Sequence, residues 1–235
     1  MAVKESQKNS AEKQLQCVGF IMDGNRRWAR AQGQGAAFGH KAGFDTFEAV
    51  VRWVTEANIP HAVFYGLSTE NWYRSQEEVT ALLLLIKAVV SRLQAEIHTH
   101  RVRWRFVGRL DDFPAELKQS MSELETVSKK YTTHTIWVAL SYGGRAEIMA
   151  AVNRAIEVGK SISEEEFATL FWSAGMPDPD IIIRTGGEQR LSNFLPWQSV
   201  YSELYFTPTF WPAFTKEEFH RILDWYAKRE RRLGR

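Results

Sequence analysis

Four short polar segments of the sequence together supply acidic, amide, arginine and glycine residues, and each follows a stretch rich in apolar residues. They span residues 22–28, 68–74, 142–145 and 184–190. Arginines form bidentate, charge-assisted hydrogen bonds with phosphate oxygens. Glycines let backbone amides approach an anion, and a helix that begins beside them adds its positive end. Together the four segments predict a site for phosphate groups.

One carboxylate, Asp23, stands at the tip of the first predicted strand, where it could hold a magnesium ion. Magnesium needs only one or two carboxylates when ligand phosphates supply the other oxygens. Taken singly, these residues have plainer interpretations. Asp23 fits a turn, Arg184 and Arg190 fit surface ion pairs, and His40 fits a helix N-terminus. Only their combination favours the phosphate site.

The sequence lacks the motifs of several other ligand classes. It has no Walker-type glycine-lysine loop, no glycine-rich dinucleotide motif after the first strand and no G-x-S-x-G elbow. One cysteine, Cys17, and six histidines without metal-ligand spacing disfavour a zinc site. A formal net charge of +2 is too small for general attraction to nucleic acid. Nucleotides, nicotinamide cofactors and nucleic-acid partners are therefore disfavoured.

Length and composition predict a globular protein of a reducing compartment. A chain of 235 residues buries enough surface to fold without a disulfide or metal, and a single cysteine can form no internal disulfide. The longest apolar run, residues 81–86, falls far short of the ~20 residues of a membrane span. Residues 1–16 contain no apolar signal segment. We therefore expect a soluble cytoplasmic protein.

Short apolar runs alternate along the chain with segments of helical periodicity. Runs rich in β-branched and aromatic residues predict strands at 17–22, 61–67, 102–107, 135–141, 180–183 and 203–207. Strict alternation with helices predicts an α/β fold, a mostly parallel sheet of about six strands flanked by helices. We assign this single domain to residues 16–235 and predict a disordered polar tail over residues 1–15.

The helix predicted to begin near Ser75 is apolar on every side over residues 81–86 (ALLLLI). A helix that covers one face of a sheet needs only one apolar stripe. Two explanations stay open. Either the helix is buried between neighbours or at a subunit interface, or its extra face lines an apolar cavity.

Five blocks of the sequence closely resemble the cis-prenyltransferases, with the bacterial undecaprenyl diphosphate synthases as the nearest match. The blocks are MDGNRRWA (22–29), FGHKAG (38–43), LSTENWYR (67–74), SYGGR (141–145) and IRTGGEQRLSNFLPWQSVYSELYF (183–206). They follow one another in the same order as in the family, and the resemblance runs over nearly the whole chain. The last block is long enough to be highly specific.

This resemblance implies a magnesium-dependent enzyme that works as a homodimer. It would condense isopentenyl diphosphate repeatedly onto an allylic diphosphate, usually farnesyl diphosphate, and form new cis double bonds. The implied fold is a six-stranded parallel sheet with an apolar tunnel that opens at the carboxyl ends of the strands. An undecaprenyl product would serve as a lipid carrier precursor for cell-wall synthesis, and its apolar chain implies peripheral association with the inner membrane face.

The resemblance also implies residue roles. Asp23 would be the catalytic acidic residue that handles magnesium, Asn71 matches the proposed proton acceptor, and Glu203 would be a magnesium ligand. The allylic diphosphate would be held by Gly24, Asn25, Arg26, Arg27 and His40, with Trp28 beside them. The second strand-end cluster would consist of Ser68, Thr69, Glu70, Trp72 and Arg74. The diphosphate of isopentenyl diphosphate would be held by Arg184, Arg190, Leu191 and Ser192.

Three positions depart from the enterobacterial pattern of the family. Ala36 replaces an arginine that faces the allylic diphosphate, Gln189 replaces a histidine, and Ala213 replaces an acidic residue. The first change matters most, and our hypothesis is that Arg26 or Arg30 substitutes for the missing arginine.

Alternatives to a long-chain synthase remain at this point. A shorter-chain cis-prenyl synthase shares every motif, although the small Gly66 on the second strand favours a deep tunnel. A non-catalytic subunit of a heteromeric enzyme is disfavoured because the acidic and arginine residues are present, and another phosphate-ester enzyme is disfavoured by the five blocks. Residues 232–234 resemble a tail that completes a partner subunit's site. The basic cluster 228–235 either complements a helix dipole or attracts a membrane surface.

Overall fold

Six short strands form one all-parallel sheet in the computed structural model, which describes residues 15–229. The strands are β1 Cys17–Ile21, β2 His61–Tyr65, β3 Arg103–Val107, β4 Thr135–Ala139, β5 Ile181–Arg184 and β6 Glu203–Phe206. Their order is β3-β4-β2-β1-β5-β6, so all carboxyl ends lie at one edge. The prediction of a six-stranded parallel sheet is confirmed. Residues 1–14 of the predicted tail over residues 1–15, and the motif at residues 232–234, lie outside the described residues.

Eight α-helices connect and cover these strands in the described part of the chain. They are α1 Asn25–Ala31, α2 Ala36–Glu56, α3 Gln76–Ala95, α4 Ile97–His100, α5 Ala115–Ser128, α6 Gly144–Val158, α7 Glu164–Ala168 and α8 Lys216–Ala227. Ser75, Ser163 and Thr215 precede α3, α7 and α8, and each side chain accepts a hydrogen bond from the amide three residues later. No described helix has both the length and the apolar character to cross a membrane.

Two predicted strands end earlier than the sequence suggested, at Tyr65 and Ala139. The amides of Gly66 and Leu67 both donate to the carbonyl of Ala139, which bends the chain away from the sheet. Ser141 has a φ of 45°, so it cannot continue β4. Both bends turn polar side chains towards the edge where the carboxyl ends meet.

Both faces of the sheet are covered, which explains the continuous apolar runs of the strands. On one face Phe20 stacks on Phe64 with ring centroids 4.8 Å apart, beneath α2, α3, α5 and α8. On the other face Trp137 packs with Phe194 and Leu195 from the long segment between β5 and β6. All four residues of β5 are buried.

Helices α1 and α2 pack closely because two glycines of α2 face α1. A Cβ placed on Gly39 would lie 2.1 Å from the backbone oxygen of Asn25. A Cβ on Gly43 would lie 2.4 Å from the Asn25 side-chain oxygen. The spacing of these glycines in FGHKAG, four residues apart, puts both on one helix face. The close approach holds the polar first turn of α1 beside β1.

We predict that Gly39→Ala destabilises the protein by roughly 1–3 kcal/mol, because the added methyl group overpacks the α1–α2 contact. Urea denaturation followed by circular dichroism measures the change. Gly35→Ala is the matched control, since a Cβ at Gly35 meets no atom within 4 Å. Its free energy of unfolding should stay within about 0.5 kcal/mol of the parent. Equal stability of the two variants would contradict the packing argument.

Candidate active site

A cavity of about 380 Å³ extends from the carboxyl ends of β1, β2 and β5 between α2 and α3. The polar lining residues follow strands or begin helices: Asp23, Asn25, His40, Ser68, Asn71, Arg74, Arg184 and Ser192. The apolar lining residues come mainly from α2, α3, β3 and β4: Phe44, Phe47, Leu82, Leu85, Ile86, Val89, Val90, Leu93, Phe106, Val138 and Leu140. One end of the cavity is therefore charged, and its walls are hydrocarbon.

The apolar helix α3 divides its faces between this cavity and solvent. Leu82, Leu85 and Ile86 line the cavity, which supports the second of the two explanations for the apolar stretch. Leu84 points outward and is 63% exposed. Leu84 is therefore not buried by the described part of this chain. For this outward side of α3, burial at a subunit interface stays an open explanation.

Asp23 lies between two guanidinium groups at the charged end. Arg184 Nη2 lies 2.9 Å from Asp23 Oδ2, and Arg27 Nη2 lies 3.1 Å from Asp23 Oδ1. The Asp23 amide donates to Thr185 Oγ1, and that hydroxyl donates to the Asp23 carbonyl at 2.8 Å. The register that pairs Ile21 with Arg184 brings these groups together. Thr185 is a residue that sequence reasoning missed, although it adjoins a predicted site residue.

Arg184 organises the segment that follows β5. Its side chain is only 5% exposed, and its Nη1 donates to Ser192 Oγ at 2.8 Å and to the Arg190 carbonyl at 2.5 Å. Ser192 has a φ of 50°, which turns the chain around the guanidinium. The Arg190 side chain points elsewhere, because it is 60% exposed and pairs with Glu188.

A second, cationic cavity of about 320 Å³ adjoins Asp23. Its lining includes Arg26, Arg27, Arg30, His40 and Arg74, together with Gly24, whose φ of 108° starts α1. Arg26 pairs with Glu78 at 3.5 Å. Among the described residues, no carboxylate forms an ion pair with Arg30 or Arg74. Uncompensated arginines around a cavity favour an anion, and a diphosphate matches their fork geometry.

His40 stands near the start of α2 among these cations. Burial lowers the pKa of His40 below its usual value, and the charges of Arg74 and Arg26 lower it further against a smaller opposing effect of Glu78. The imidazole is therefore neutral at neutral pH. As pH falls through this pKa, His40 gains a positive charge and the cavity becomes more attractive to anions.

Side chains of the segment after β2 fix its conformation, through bonds within the segment and to neighbouring loops. The segment forms a 3-10 helix over Thr69–Tyr73, and the Asn71 side-chain oxygen accepts the Ser68 amide hydrogen at 3.0 Å. Glu70 accepts a hydrogen bond from Asn193 at 3.0 Å. Trp72 donates to Ser141 at 2.8 Å and packs on Phe113.

Several predicted site residues do not line either cavity. Trp28 stacks on Phe38 at 5.6 Å, and the Trp72 ring is held by Ser141 and Phe113. The other residues of this kind are Thr69, Glu70, Arg190 and Leu191. Their side chains shape the loops around the site in this structure.

No residue of the segment SYGGR (141–145) after β4 lines either cavity, so phosphate binding by this strand end stays a prediction. A Cβ on Gly144 would lie 1.9 Å from Pro196 Cδ, and one on Gly143 would lie 2.6 Å from Thr69 Oγ1. The Arg145 amide donates to the Asn193 side chain at 2.9 Å. These glycines permit close packing of two loops, a requirement that the local sequence pattern does not distinguish from anion binding.

Glu203 lies at the opposite end of the sheet from Asp23. Glu203 begins β6 and pairs in register with Ile181 at the start of β5. Asp23 lies two residues after Ile21, which pairs with Arg184 at the end of β5. The Glu203 carboxylate contacts Arg229 Nε at 3.1 Å. Three residues of strand span about 10 Å, so Asp23 and Glu203 do not form one magnesium site within a chain.

Fold and site together define a class of protein, and comparisons with known proteins agree. A family model described as "Putative undecaprenyl diphosphate synthase" matches residues 21–234, so the chain belongs to this family of cis-prenyltransferases. An isoprenyl transferase of Aquifex aeolicus is 42% identical over 219 residues, which cover 93% of this chain and 95% of that protein. The chain is accordingly a prenyl-transferring enzyme of a metal-dependent family.

Two further relatives show how substrates vary among similar proteins. A Thermoplasma acidophilum protein, named a geranylgeranyl-diphosphate-specific tritrans,polycis-undecaprenyl-diphosphate synthase, is 42% identical over 227 residues, 93% of this chain and 88% of that protein. The lavandulyl diphosphate synthase of Lavandula x intermedia, solved with dimethylallyl diphosphate, superposes with a TM-score of 0.90 at 28% identity. That superposition covers 94% of this chain and 99% of the Lavandula chain.

We predict that Arg74→Gln raises the pKa of His40, because the substitution removes the larger of the two charges that oppose its protonation. An NMR titration of the imidazole protons measures this pKa, with His40→Gln used to assign the signal. Arg145→Gln, after a different strand, is the control and should leave the pKa of His40 unchanged. An unchanged pKa in Arg74→Gln would show that Arg74 does not act on His40.

Proposed function

We propose that this enzyme adds isopentenyl diphosphate units in cis to an allylic diphosphate, farnesyl diphosphate, and releases undecaprenyl diphosphate. The observation that carries the proposal is a cationic cavity lined by four arginines beside a cavity with hydrocarbon walls. Such an arrangement matches a molecule with a diphosphate head and a growing apolar chain. We infer that the product is a lipid carrier precursor for cell-wall synthesis.

The allylic diphosphate is assigned to the cationic cavity. Arg26, Arg27, Arg30 and Arg74 line it, and His40 adds a neutral imidazole. When the carbon–oxygen bond to the diphosphate breaks, negative charge grows on the leaving group. Preoriented guanidinium groups stabilise that charge more than they stabilise the ground state, and this difference accelerates the reaction.

Magnesium fits the residues around Asp23. The Asp23 side chain is 30% exposed at the charged end of the cavity, and its two carboxylate oxygens are oriented by Arg184 and Arg27. One carboxylate together with diphosphate oxygens is a usual magnesium ligand set. When bound there, magnesium would neutralise charge on the leaving diphosphate as a Lewis acid. We assign Asp23 as its protein ligand and leave Glu203 outside this set.

The second substrate, isopentenyl diphosphate, is assigned to the side formed by Arg184 and Ser192. After the new carbon–carbon bond forms, the product cation must lose a proton. The Asn71 oxygen is already occupied by the Ser68 amide, and an amide is a poor base. Asn71 is therefore assigned to position a water molecule or a diphosphate oxygen that takes the proton, with its free Nδ2 group as donor.

Product length is assigned to the apolar walls. Each added five-carbon unit gains up to about 4 kcal/mol on burial, at about 0.8 kcal/mol per carbon, so the walls and not the diphosphate site decide when growth stops. A Cβ on Gly66 would lie 3.0 Å from Leu140 Cδ2, and its absence keeps the cavity open beside β4. This favours a long product over the alternative, a shorter-chain cis-prenyl diphosphate.

A homodimer through β6 is part of the proposal. The outer amides of β3 are covered, since those of Trp104 and Phe106 donate to Ser128 and Glu125. The opposite edge strand, β6, carries Leu204 at 40% exposure beside Val200 at 69%. An edge strand with exposed apolar side chains is a pairing surface, and we assign a second identical chain as its partner. We place this dimer in the cytoplasm, in peripheral contact with the membrane that receives the product.

We predict that Asp23→Ala folds normally but loses at least ~10³-fold in turnover, as when one well-aimed electrostatic group is removed. The assay incubates radiolabelled isopentenyl diphosphate, farnesyl diphosphate and magnesium with the enzyme and sizes the extracted products. Asp111→Ala, a 94% exposed carboxylate, is the control and should keep parental turnover. Near-normal turnover of Asp23→Ala would refute the catalytic role, and products of fewer than eleven isoprene units would support the shorter-chain alternative.

We predict that Arg30→Ala raises the Michaelis constant for the allylic diphosphate at least tenfold, because a charge-assisted hydrogen bond worth roughly 1.5–3 kcal/mol is lost. Arg30 lines the cationic cavity without an ion-pair partner among the described residues, whereas Arg26 is shared with Glu78. Arg30 is thus the stronger candidate to replace the arginine missing at Ala36. Arg52→Ala, on the exposed side of α2, is the control, and an unchanged constant in Arg30→Ala would rule Arg30 out.

A further inference from the structure

Three potential metal ligands meet at the junction of α2, α3 and α4, among residues that line neither cavity. They are Glu48 on α2, Glu96 between α3 and α4, and His100 at the end of α4. One ligand atom from each lies within 4.8 Å of the other two. The side chains of Glu48 and His100 are only 4% and 6% exposed. Burial of a carboxylate and an imidazole together is costly unless both are paired.

The pairing available in this chain is incomplete. Arg92 contacts one oxygen of Glu48 at 2.9 Å and one oxygen of Glu96 at 3.2 Å, and it lies 4.0 Å from Asp45. The second Glu96 oxygen faces His100 Nε2 at 3.3 Å. The second Glu48 oxygen is buried without any hydrogen-bond partner. One guanidinium is thus shared by three carboxylates, and one buried oxygen of Glu48 is left without a partner.

The charged groups around Glu48 come from α2, α3 and α4: Asp45, Arg92, Glu96 and His100. Of these, only Arg92 carries a permanent positive charge.

We propose that Glu48, Glu96 and His100 form a structural site for a divalent transition metal ion, of which zinc is the probe of choice. One imidazole and two carboxylates suit zinc, whereas magnesium prefers oxygen ligands and water. Three atoms no more than 4.8 Å apart all lie within about 2.8 Å of a common point. Zinc–ligand distances of about 2.0–2.2 Å therefore require side-chain movements below about 1 Å.

Such an ion would join α4 and the end of α3 to α2. Helices α2 and α3 form walls of the apolar cavity. Phe44 and Phe47 lie one turn or less before Glu48, and Leu93 lies one turn before Glu96. An ion that binds only the folded protein stabilises it by mass action. The site does not depend on the proposed reaction, because its ligands contact neither substrate cavity.

The test measures zinc binding in the metal-stripped, untagged full chain carrying Asp23→Ala, which removes the carboxylate assigned to magnesium. We expect one equivalent of zinc by isothermal titration calorimetry and a zinc-dependent rise in the melting temperature. Magnesium at the same concentration should produce neither effect. When His100→Gln or Glu48→Gln is combined with Asp23→Ala, zinc affinity should fall at least ~10-fold. Loss of a group that only orients a metal ligand already costs about that much, and loss of the ligand itself should cost no less.

His98→Gln is the matched control, because His98 lies two residues away and contacts only the Tyr131 hydroxyl among the described hydrogen-bond partners. Its zinc affinity should equal that of the parent. Glu96→Gln provides a second ligand variant at a 39% exposed side chain, where folding is least at risk. The proposal fails if Asp23→Ala takes up no zinc, or if His100→Gln and Glu96→Gln bind it as tightly as His98→Gln.

Discussion

The ion pair between Asp23 and the buried Arg184 is the interaction on which the site depends. Desolvation of a guanidinium costs several kcal/mol, which pairing offsets. The two terminal nitrogens of Arg184 are paired with Asp23, Ser192 and the Arg190 carbonyl, whereas its Nε is buried without a hydrogen-bond partner among the described residues. The same bonds fix the end of β1, the end of β5 and the turn that follows. Loss of Asp23 would remove the one carboxylate within residues 15–229 that pairs with Arg184 and would perturb this end of the sheet, while the apolar core keeps the chain folded.

The second constraint is the close contact between α1 and α2, which determines where the arginines of α1 point. Arg26, Arg27 and Arg30 share a short helix of seven residues, too short to be stable without tertiary packing. Gly39 and Gly43 let Asn25 approach α2, and this contact holds the helix against β1. The cationic cavity is thus a consequence of backbone packing as much as of charge.

Much of the fold followed from the sequence because the signals were local. Apolar runs of four to seven residues identified the strands, and α3 begins directly after Ser75 as predicted. The predicted Asp23 and Arg184 are brought together because parallel strands share one edge. The sequence could not tell that Gly143 and Gly144 serve loop packing, or that Glu203 begins its strand at the far end. Such facts depend on register, and the Glu48–Glu96–His100 cluster depends on contacts between residues some fifty positions apart.

The division of the cavity explains how one diphosphate site can serve products of different length. The charged end is built from loops whose geometry is fixed by ion pairs, so under the proposed function the reacting groups would meet the same environment in every addition. The walls are built from α2 and α3, where large side chains such as Phe47 and Leu93 can change without disturbing a charge. Relatives of one fold can therefore differ in chain length while their charged ends stay alike. In this chain the absence of a side chain at Gly66 leaves space beside Leu140 and Val138 in the cavity wall, and under the proposed function that space admits a longer product.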